Sequence, residues 1–513
     1  MKNKYIKLSI FLGLLGTLTG CTDLELEDTD SITRETEQGE FSGLTDIQKN
    51  LNGGYNDLRG IIETHENLYG LNEGSSDELL IPTRGTDWGD NGIWRTLHQH
   101  TWDANHNFVL NTWNSLNAVA YNMTEIISPV TGASAQQVAE AKFLRAFSMF
   151  WVMDLYGQVP FREVDEGPDV NPRVMTRSEA FEFVMKDLND AMANLPSIGP
   201  GDGTVQASKA AAHYLLAKLY LNKHIYLGTG STAAADMTAV IEHVDAIMDE
   251  GFELQEGFFE IFEPSVDTET ILYTTSSTGN RMWSTLHYAQ GTTDNTGGGW
   301  NGFSTLAEFY DLFEGDPNIN TEGSGQEERR GYVPLNGDPS GTFIGKGFLI
   351  NQQYAADGSE LTDRAGNPLV FTKELPGLLG NNERNGIRVL KYHPSNGAYT
   401  GHVIVFRFAD AYLMKAEAIM RGGSSSDDAL TMVNNLRAIR QATPLSSLTE
   451  QDMLDERGRE LYTEYWRRQD QIRFGTFTST WEFKDNTEEF RVLFPIPSVA
   501  LTSNPNLTQN PGY

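Results

Sequence analysis

Ala139-Glu-Ala-Lys-Phe-Leu-Arg145-Ala-Phe-Ser-Met-Phe-Trp151-Val-Met-Asp154-Leu-Tyr156-Gly157 is the stretch that decides the fold. Together with Val138, the residues Ala141, Leu144, Phe147, Trp151 and Leu155 recur at three- and four-residue spacing, which places them on one face of an α-helix. Ser134 stands ahead of the stripe as its predicted N-cap. Tyr156-Gly157 and Pro160 stop it. A helix with so large an apolar face needs other helices to cover it.

Those partners lie on both sides. Apolar residues recur at helical spacing over 45–62 and again over 105–127, where Phe108, Trp113, Leu116, Tyr121 and Ile126 form the stripe. Downstream, Thr176 caps a predicted helix over 177–195 that Pro196 ends, Ser208 caps one over 209–222, and a further helix fills 233–249. A last set covers 405–421, 427–441 and 450–471, separated by Gly422-Gly423 and Pro444. Ala211, Ala212 and Ala217 beside Tyr214, Leu215, Leu219 and Tyr220 let neighbouring helices approach closely. The pattern predicts a mainly α fold built on tetratricopeptide-like helix hairpins, without the strict repeat of about 34 residues.

Two stretches break this pattern. Residues 64–104 and 263–404 are rich in Gly, Asn, Asp, Thr and aromatics, and neither helix nor strand periodicity persists in them. Loops of such length usually carry function. Five of the nine tryptophans fall here: Trp88, Trp94, Trp102, Trp283 and Trp300. The expected division is therefore a helical scaffold over about 45–63, 105–262 and 405–475, and a large irregular, loop-rich part over about 64–104 and 263–404, all within one domain, 45–513.

The formal charge is -32, from 38 Lys+Arg against 70 Asp+Glu. Binding to nucleic acid requires a basic patch that displaces counterions, and no such cluster occurs, so nucleic acid is excluded as a partner. A neutral polymer suits this surface.

The start of the chain reads as an export signal. Lys2, Lys4 and Lys7 precede the apolar run Leu8–Leu18 and the small-residue site Leu18-Thr19-Gly20-Cys21. Residues 1–20 are the predicted lipoprotein signal peptide and Cys21, the single cysteine, is the predicted lipidation site. Two or more acyl chains on one residue anchor a protein stably to a membrane. Residues 21–44 are polar and read as a flexible tether, in which Asp23, Glu25, Glu27 and Asp28 are either solvated spacers or an outer-membrane sorting address. No later segment has the run of roughly 20 apolar residues that a spanning helix needs. With no further cysteine, packing supplies the stability without disulfides.

Taken in chain order, several segments carry a family resemblance. Glu140–Phe147 running on to Asp154-Leu-Tyr156-Gly157-Gln-Val-Pro160 resembles the core signature of the SusD/RagB outer-membrane lipoproteins. Ser208–Leu221, Arg407–Ala418, Glu456–Glu464 continuing to Arg468–Gly475, and Phe494-Pro-Ile-Pro497 with Asn504–Tyr513 are similar to further family segments, in the family's order. The middle of the chain matches only loosely. The resemblance implies a SusD-like fold and a non-enzymatic role: a lipid-anchored, surface-exposed protein of the outer membrane that captures an oligosaccharide and delivers it to a SusC-like TonB-dependent transporter. It implies no cofactor. Arg145, Asp154, Glu460, Arg468, Asp470 and Arg473 are expected to be paired charges that tie helices together.

Ligand contacts are expected in the variable loops. A sugar ring presents an apolar C–H face and a rim of hydroxyls, so flat aromatic platforms flanked by amide, carboxylate or guanidinium groups suit it. Arg84, Asp87, Trp88 and Asn91 supply that chemistry within a few residues; Trp283, Tyr288, Trp300 and Asn301 supply it again on a glycine-rich loop. Trp88 and Trp300 are the expected stacking surfaces. The resemblance to starch-binding members, which carry tryptophans in these two regions and a tyrosine before the second, favours a glucan, α-linked or β-1,3-linked such as laminarin.

Rival readings stay open at this level. Each loop tryptophan could plug a satellite core, and Arg84, Asp87 and Asn91 could simply order their own turn. Trp113, Trp151 and Trp466 lie on helical stripes and are expected in the core. His98, His100, Asp103 and His106 lie close in sequence but match no zinc pattern, the Asp-rich loop 357–363 has no EF-hand spacing, and no metal is expected. A glycoside hydrolase, with two carboxylates roughly 5 to 9 Å apart, is the rival class. Surface adhesion, and a SusD-like protein for other glycans or peptides, are the remaining alternatives.

Overall fold

The computed structural model describes residues 41–513 except 168, 266, 293–296, 335 and 338–340, and the backbone alone of 34–37 and 40. The signal peptide 1–20, Cys21 and most of the tether lie outside the described residues.

Six long helices form the first part of the scaffold: α1 (Ile47–Glu63), α2 (Asn107–Ile127), α3 (Ala135–Tyr156), α4 (Arg177–Met192), α5 (Lys209–Tyr226) and α6 (Ala234–Asp249). Four more close it: α7 (Phe408–Met420), α8 (Ala429–Ile439), α9 (Glu450–Leu461) and α10 (Arg467–Arg473). Helix α3 contains the deciding stretch. Ser134 accepts from the N–H of Gln137 while the Gln137 side chain accepts from Ser134, a reciprocal cap, and Gly157 at φ 71° ends the helix. Thr176 with Glu179 caps α4 in the same way. Successive helices pack as hairpins, α2 on α3, α3 on α4 and α5 on α6, with α7 laid against α6. Helix α3 is more than a stripe: from Phe143 to Tyr156 every residue is buried, because α2, α4 and the C-terminal segment enclose it. Among the described residues no helix is long and apolar enough to cross a membrane.

Charges tie the helices as expected. Arg145 forks onto Asp187 at 2.7 and 2.8 Å, and Arg468 reaches Asp154 at 2.8 Å. Asp470 takes Arg457 and Arg473, and Glu460 takes Arg407, Arg329 and Arg440, all buried. Trp113, Trp151 and Trp466 are core residues.

Three boundaries differ from the sequence reading. Residues 403–407 form a strand, paired antiparallel with Thr270–Thr274, so the helix expected from 405 begins at Phe408. The helix expected over 450–471 breaks between Leu461 and Arg467. There Thr463 and Tyr465 have φ of 61° and 78°, while the buried carboxyls of Glu78 and Glu73 accept their N–H groups and Lys391 Nζ donates to the carbonyl of Tyr462 at 2.6 Å. Such backbone is held by its surroundings. Finally, 64–104 contains two short helices, Asn67–Glu73 and Ile93–His98, too brief to leave a periodic signal.

The rest of 263–404 is loop with short strands and three short helices, Asn280–Thr285, Ala307–Tyr310 and Ala398–Gly401. Lys346–Leu349 lies between Arg388–Leu390 and Gly331–Tyr332, and Asn351–Gln352 pairs with Val370–Phe371. Met282, Trp283, Leu286, Ile344, Leu349, Leu369, Phe371 and Leu390 make a second apolar core beneath these loops. Trp283 therefore sits under the surface and not on it, packed edge-on against Tyr399 at 5.8 Å.

Candidate functional site

The turn Arg84-Gly85-Thr86-Asp87 closes on itself: Arg84 and Asp87 exchange main-chain hydrogen bonds, both at 2.9 Å. The chain then runs through Trp88, Asp90 and Asn91 at positive φ, which swings the indole of Trp88 inward. That ring lies so close over Gly302 that a Cβ there would stand 2.3 Å from it, and only glycine fits. Trp88 Nε1 donates to the main-chain oxygen of Trp300 at 2.7 Å. Segment 299–303 is in turn bonded to 283–287, with Trp300 N donating to Trp283 O at 2.8 Å and Asn301 N to Leu286 O at 2.7 Å. Gly299 permits this approach, since a Cβ would meet the carbonyl of Leu286 at 2.2 Å.

Trp300 is left 40% exposed, the one tryptophan among the exposed large apolar side chains of the described residues. Behind it His65 fills an aromatic box, with ring centroids 5.6 Å from Trp300, 5.9 Å from Trp88, 6.1 Å from Trp94 and 5.9 Å from Phe303. Burial pushes the His65 imidazole down to about 4, so it is neutral at pH 7. Two loop segments distant in sequence thus present one apolar platform on a rigid aromatic backing.

A polar rim adjoins the platform. Tyr288 donates its hydroxyl to Asp87 Oδ2 at 2.5 Å, and Arg364 Nη2 donates to the same oxygen at 2.8 Å. The Arg364 guanidinium lies over the Tyr288 ring, 4.1 Å from its centroid, and its Nε donates to Glu383. His287 donates from Nε2 to Glu383 at 3.1 Å, in the tautomer assigned because its Nδ1 accepts from Ala289 N. The Tyr288 hydroxyl, followed by Arg364, holds the Asp87 carboxyl below its ordinary range. Burial pushes Glu383 up, but hydrogen bonds from Arg364 and His287 outweigh it and the net shift is down. Both carboxylates are ionised at neutral pH.

Four of the eight expected contact residues, Asp87, Trp88, Tyr288 and Trp300, thus converge. The other four do not. Arg84 is buried: it donates to Ser304 Oγ at 2.6 Å and to the carbonyls of Asn382 at 3.1 Å and Asn385 at 2.5 Å. Asn301 is buried too, its Oδ1 accepting from Arg388 at 2.7 and 2.9 Å. Arg84 and Arg388 together gather the carbonyls of loop 382–386, which carries Glu383, and neither meets a carboxylate among the described residues. Burial without such a partner lowers both guanidinium pKa values. Asn91 is exposed and instead lines a depression with Ile93, Asp103 and His106. Sequence reasoning missed Arg364, Glu383 and His65. His65 had a signal, a lone histidine just past an amphipathic helix; Arg364 and Glu383 had none beyond an Asn- and Asp-rich setting.

The histidines near 100 do not converge. His98 pairs with Glu482 O at 2.8 Å, His100 with Ser75 O at 2.7 Å, and His106 caps α2 by accepting from Phe108 N. Among the described residues no group of three or more His, Cys, Asp or Glu side chains could hold a metal.

The chain is similar in sequence and fold to known proteins. The model of the SusD family matches residues 268–513, and a second SusD-like model, described as starch-binding and associating with the outer membrane, matches 60–221. The starch-binding protein SusD of Bacteroides thetaiotaomicron is 26% identical, over 100% of both chains. Among solved structures, a SusD-like protein from Bacteroides fragilis superposes with a TM-score of 0.69 at 18% identity, over 93% of this chain and 99% of its own. A laminarin-binding SusD-like protein superposes with a TM-score of 0.65 at 21% identity, over 92% and 100%.

Proposed function

We propose that this chain, which belongs to the SusD/RagB family, is a surface glycan-binding lipoprotein that captures an oligosaccharide, a glucan by preference, at the outer membrane and passes it to a SusC-like TonB-dependent transporter. In this reading Cys21 carries the lipid, the helices are the scaffold, and the loops of 64–104 and 263–404 hold the ligand. One observation carries it: Trp300 stands exposed on an aromatic box beside a rim of Asp87, Tyr288, Arg364 and Glu383. An indole face offers large rigid contact to the C–H face of a sugar with little entropy to lose, and the rim offers acceptors and donors to its hydroxyls. The starch-binding relative and the second family model's description support a glucan.

Capture without cleavage also fits the site's electrostatics. A glycosidase needs one carboxyl kept protonated as general acid, its pKa raised. Asp87 and Glu383 are both pulled the other way by Arg364 and their other donors. Of the raised carboxyls, Glu73 and Glu78 are sealed inside the fold, out of reach of a polymer, while Asp57, Glu66, Glu328, Asp455 and Glu482, raised by partial burial, are not among the side chains of the rim.

The test is retention of the mature protein in gels cast with amylopectin, laminarin or a non-glucan polysaccharide, with analysis of the sugars afterwards. Slowed migration in a glucan without shortened products supports the reading. Release of shorter sugars, or retention only by the non-glucan, contradicts it.

A further inference from the structure

Arg364 joins three loops at the edge of the aromatic platform. The turn that carries it is fixed by Asp363, whose Oδ1 accepts from the main-chain N–H of Asn367 at 2.8 Å and of Ala365 at 3.0 Å. From this turn the guanidinium reaches Asp87 and Glu383 and lies on Tyr288. Its main-chain N–H also donates to Glu383, to Oε2 at 2.9 Å, so backbone and side chain hold the same carboxylate. Even so, the side chain is 58% exposed, and three of its five N–H bonds have no partner among the described residues. A planar donor fork, already clamped on one side, faces solvent on the other.

We propose that Arg364 is the specificity-determining residue of this site and that it selects a 1,4-linked glucan, through paired hydroxyls on adjacent ring carbons. The inference rests on the site being a sugar platform. A guanidinium presents its donors in a fixed fork that suits two neighbouring acceptor oxygens. Each interior ring of a 1,4-linked glucan keeps free hydroxyls at C2 and C3, which are neighbours. In a 1,3-linked chain the C3 oxygen is in the linkage, and the free hydroxyls at C2, C4 and C6 include no adjacent pair on the ring. The same hydroxyls donate their hydrogens to Asp87 and Glu383, both ionised acceptors at either end of the guanidinium. Because two carboxylates and the Tyr288 ring hold Arg364 before the sugar arrives, little side-chain freedom is lost on binding. Those carboxylates also repel acidic sugars, so the fork serves a neutral chain.

The experiment is calorimetric titration of the detergent-solubilised mature lipoprotein with maltohexaose and with laminarihexaose, for the wild type, Arg364→Lys, Arg364→Ala and Trp300→Ala. The wild type is expected to bind maltohexaose about tenfold more tightly, a difference well within what one charge-assisted contact supplies. Arg364→Lys keeps the charge and removes the fork; it and Arg364→Ala should each lose about tenfold for maltohexaose and less than about twofold for laminarihexaose. Trp300→Ala should weaken both sugars alike. A wild type that prefers laminarihexaose, or Arg364 variants that lose equally on both sugars or on neither, overturns the role of Arg364 while weakening by Trp300→Ala leaves the platform standing. No binding of either sugar by the wild type overturns both.

Discussion

Trp88 donates its indole N–H to the carbonyl of Trp300 at 2.7 Å, across 212 positions of sequence. The bond fixes the exposed ring from behind, so the two tryptophans have different duties: Trp300 meets solvent and Trp88 sets its position. Trp88→Phe should keep the apolar packing against Phe303 and His65 but leave the Trp300 carbonyl without its donor. The expected cost is about 1 kcal/mol of stability in denaturant unfolding, with weaker glycan retention. An unchanged unfolding midpoint would remove Trp88 from this role.

Arg84 makes a contrast with Arg364. Its guanidinium is buried among Ser304 and the carbonyls of Asn382 and Asn385, so Arg84→Met strands several buried acceptors at once. Stability should fall by about 2 to 4 kcal/mol, and chemical unfolding of the purified variant measures it. Were Arg84 instead a ligand contact, the substitution would cost affinity and leave the unfolding curve in place.

Glu73 and Glu78 predict a pH effect of definite sign. Both are fully buried, Glu73 Oε2 has no hydrogen-bond partner among the described residues, and the two carboxyls interact, so the pair is expected to share a proton. Burial, and for Glu78 also the neighbouring Glu73 charge, raise both above the ordinary glutamate range. A carboxyl whose folded pKa is raised adds stability that is fully present below the unfolded value and is lost as pH rises through the folded one. Glu78→Gln retains an acceptor for Thr463 N and a donor for Glu73. Its stability relative to the wild type should therefore improve from pH 4 upward, by at least about 1.4 kcal/mol at pH 8 if the pair is shifted by one unit. A difference that stays flat with pH contradicts a shared proton.

The buried ion pairs should be fragile to single substitutions. Arg468 is fully buried and satisfies Asp154 and the carbonyl of Val492, so Arg468→Met removes the ion-pair partner of a core carboxylate and leaves it the Tyr226 hydroxyl alone among the side-chain donors of the described residues. A loss of about 3 to 5 kcal/mol is expected, and adding Asp154→Asn should recover part of it. A double variant no more stable than the single one would argue against the pairing.

Cys21→Ser tests the anchor. If acyl chains on this residue hold the protein at the membrane, the variant should leave the membrane fraction and be recovered in soluble form, since no described helix can replace them. Retention in the outer-membrane fraction would mean that something else tethers the chain.

Much of the scaffold was legible because its signals are local. Ser134, Thr176 and Ser208 cap their helices within three residues, and the stripes of α2 and α3 need no distant partner to be recognised. The break at 462–466 was invisible because the groups that hold it, Glu73 and Glu78, come from hundreds of residues away. The same physics governed the site. Trp283 and Trp300 look alike in sequence, both in the aperiodic stretch 263–404, yet Trp283 lies on the short helix Asn280–Thr285 where Tyr399 and the second core cover it, and Trp300 is left open. Arg364 and Glu383 could not be singled out, since their meaning lies in contacts with Asp87, Tyr288 and His287.

The central claim is that a sugar stacks on Trp300 and leaves uncut. Its most direct measurement is the affinity of the mature lipoprotein for a glucan hexasaccharide before and after Trp300→Ala, with the sugar analysed at the end. Because Trp300 is 40% exposed, its truncation should lower the unfolding free energy by no more than about 1 kcal/mol. A loss of about tenfold or more in affinity with the hexasaccharide intact is the predicted result; equal affinity in the two proteins, or the appearance of shorter sugars, would contradict it.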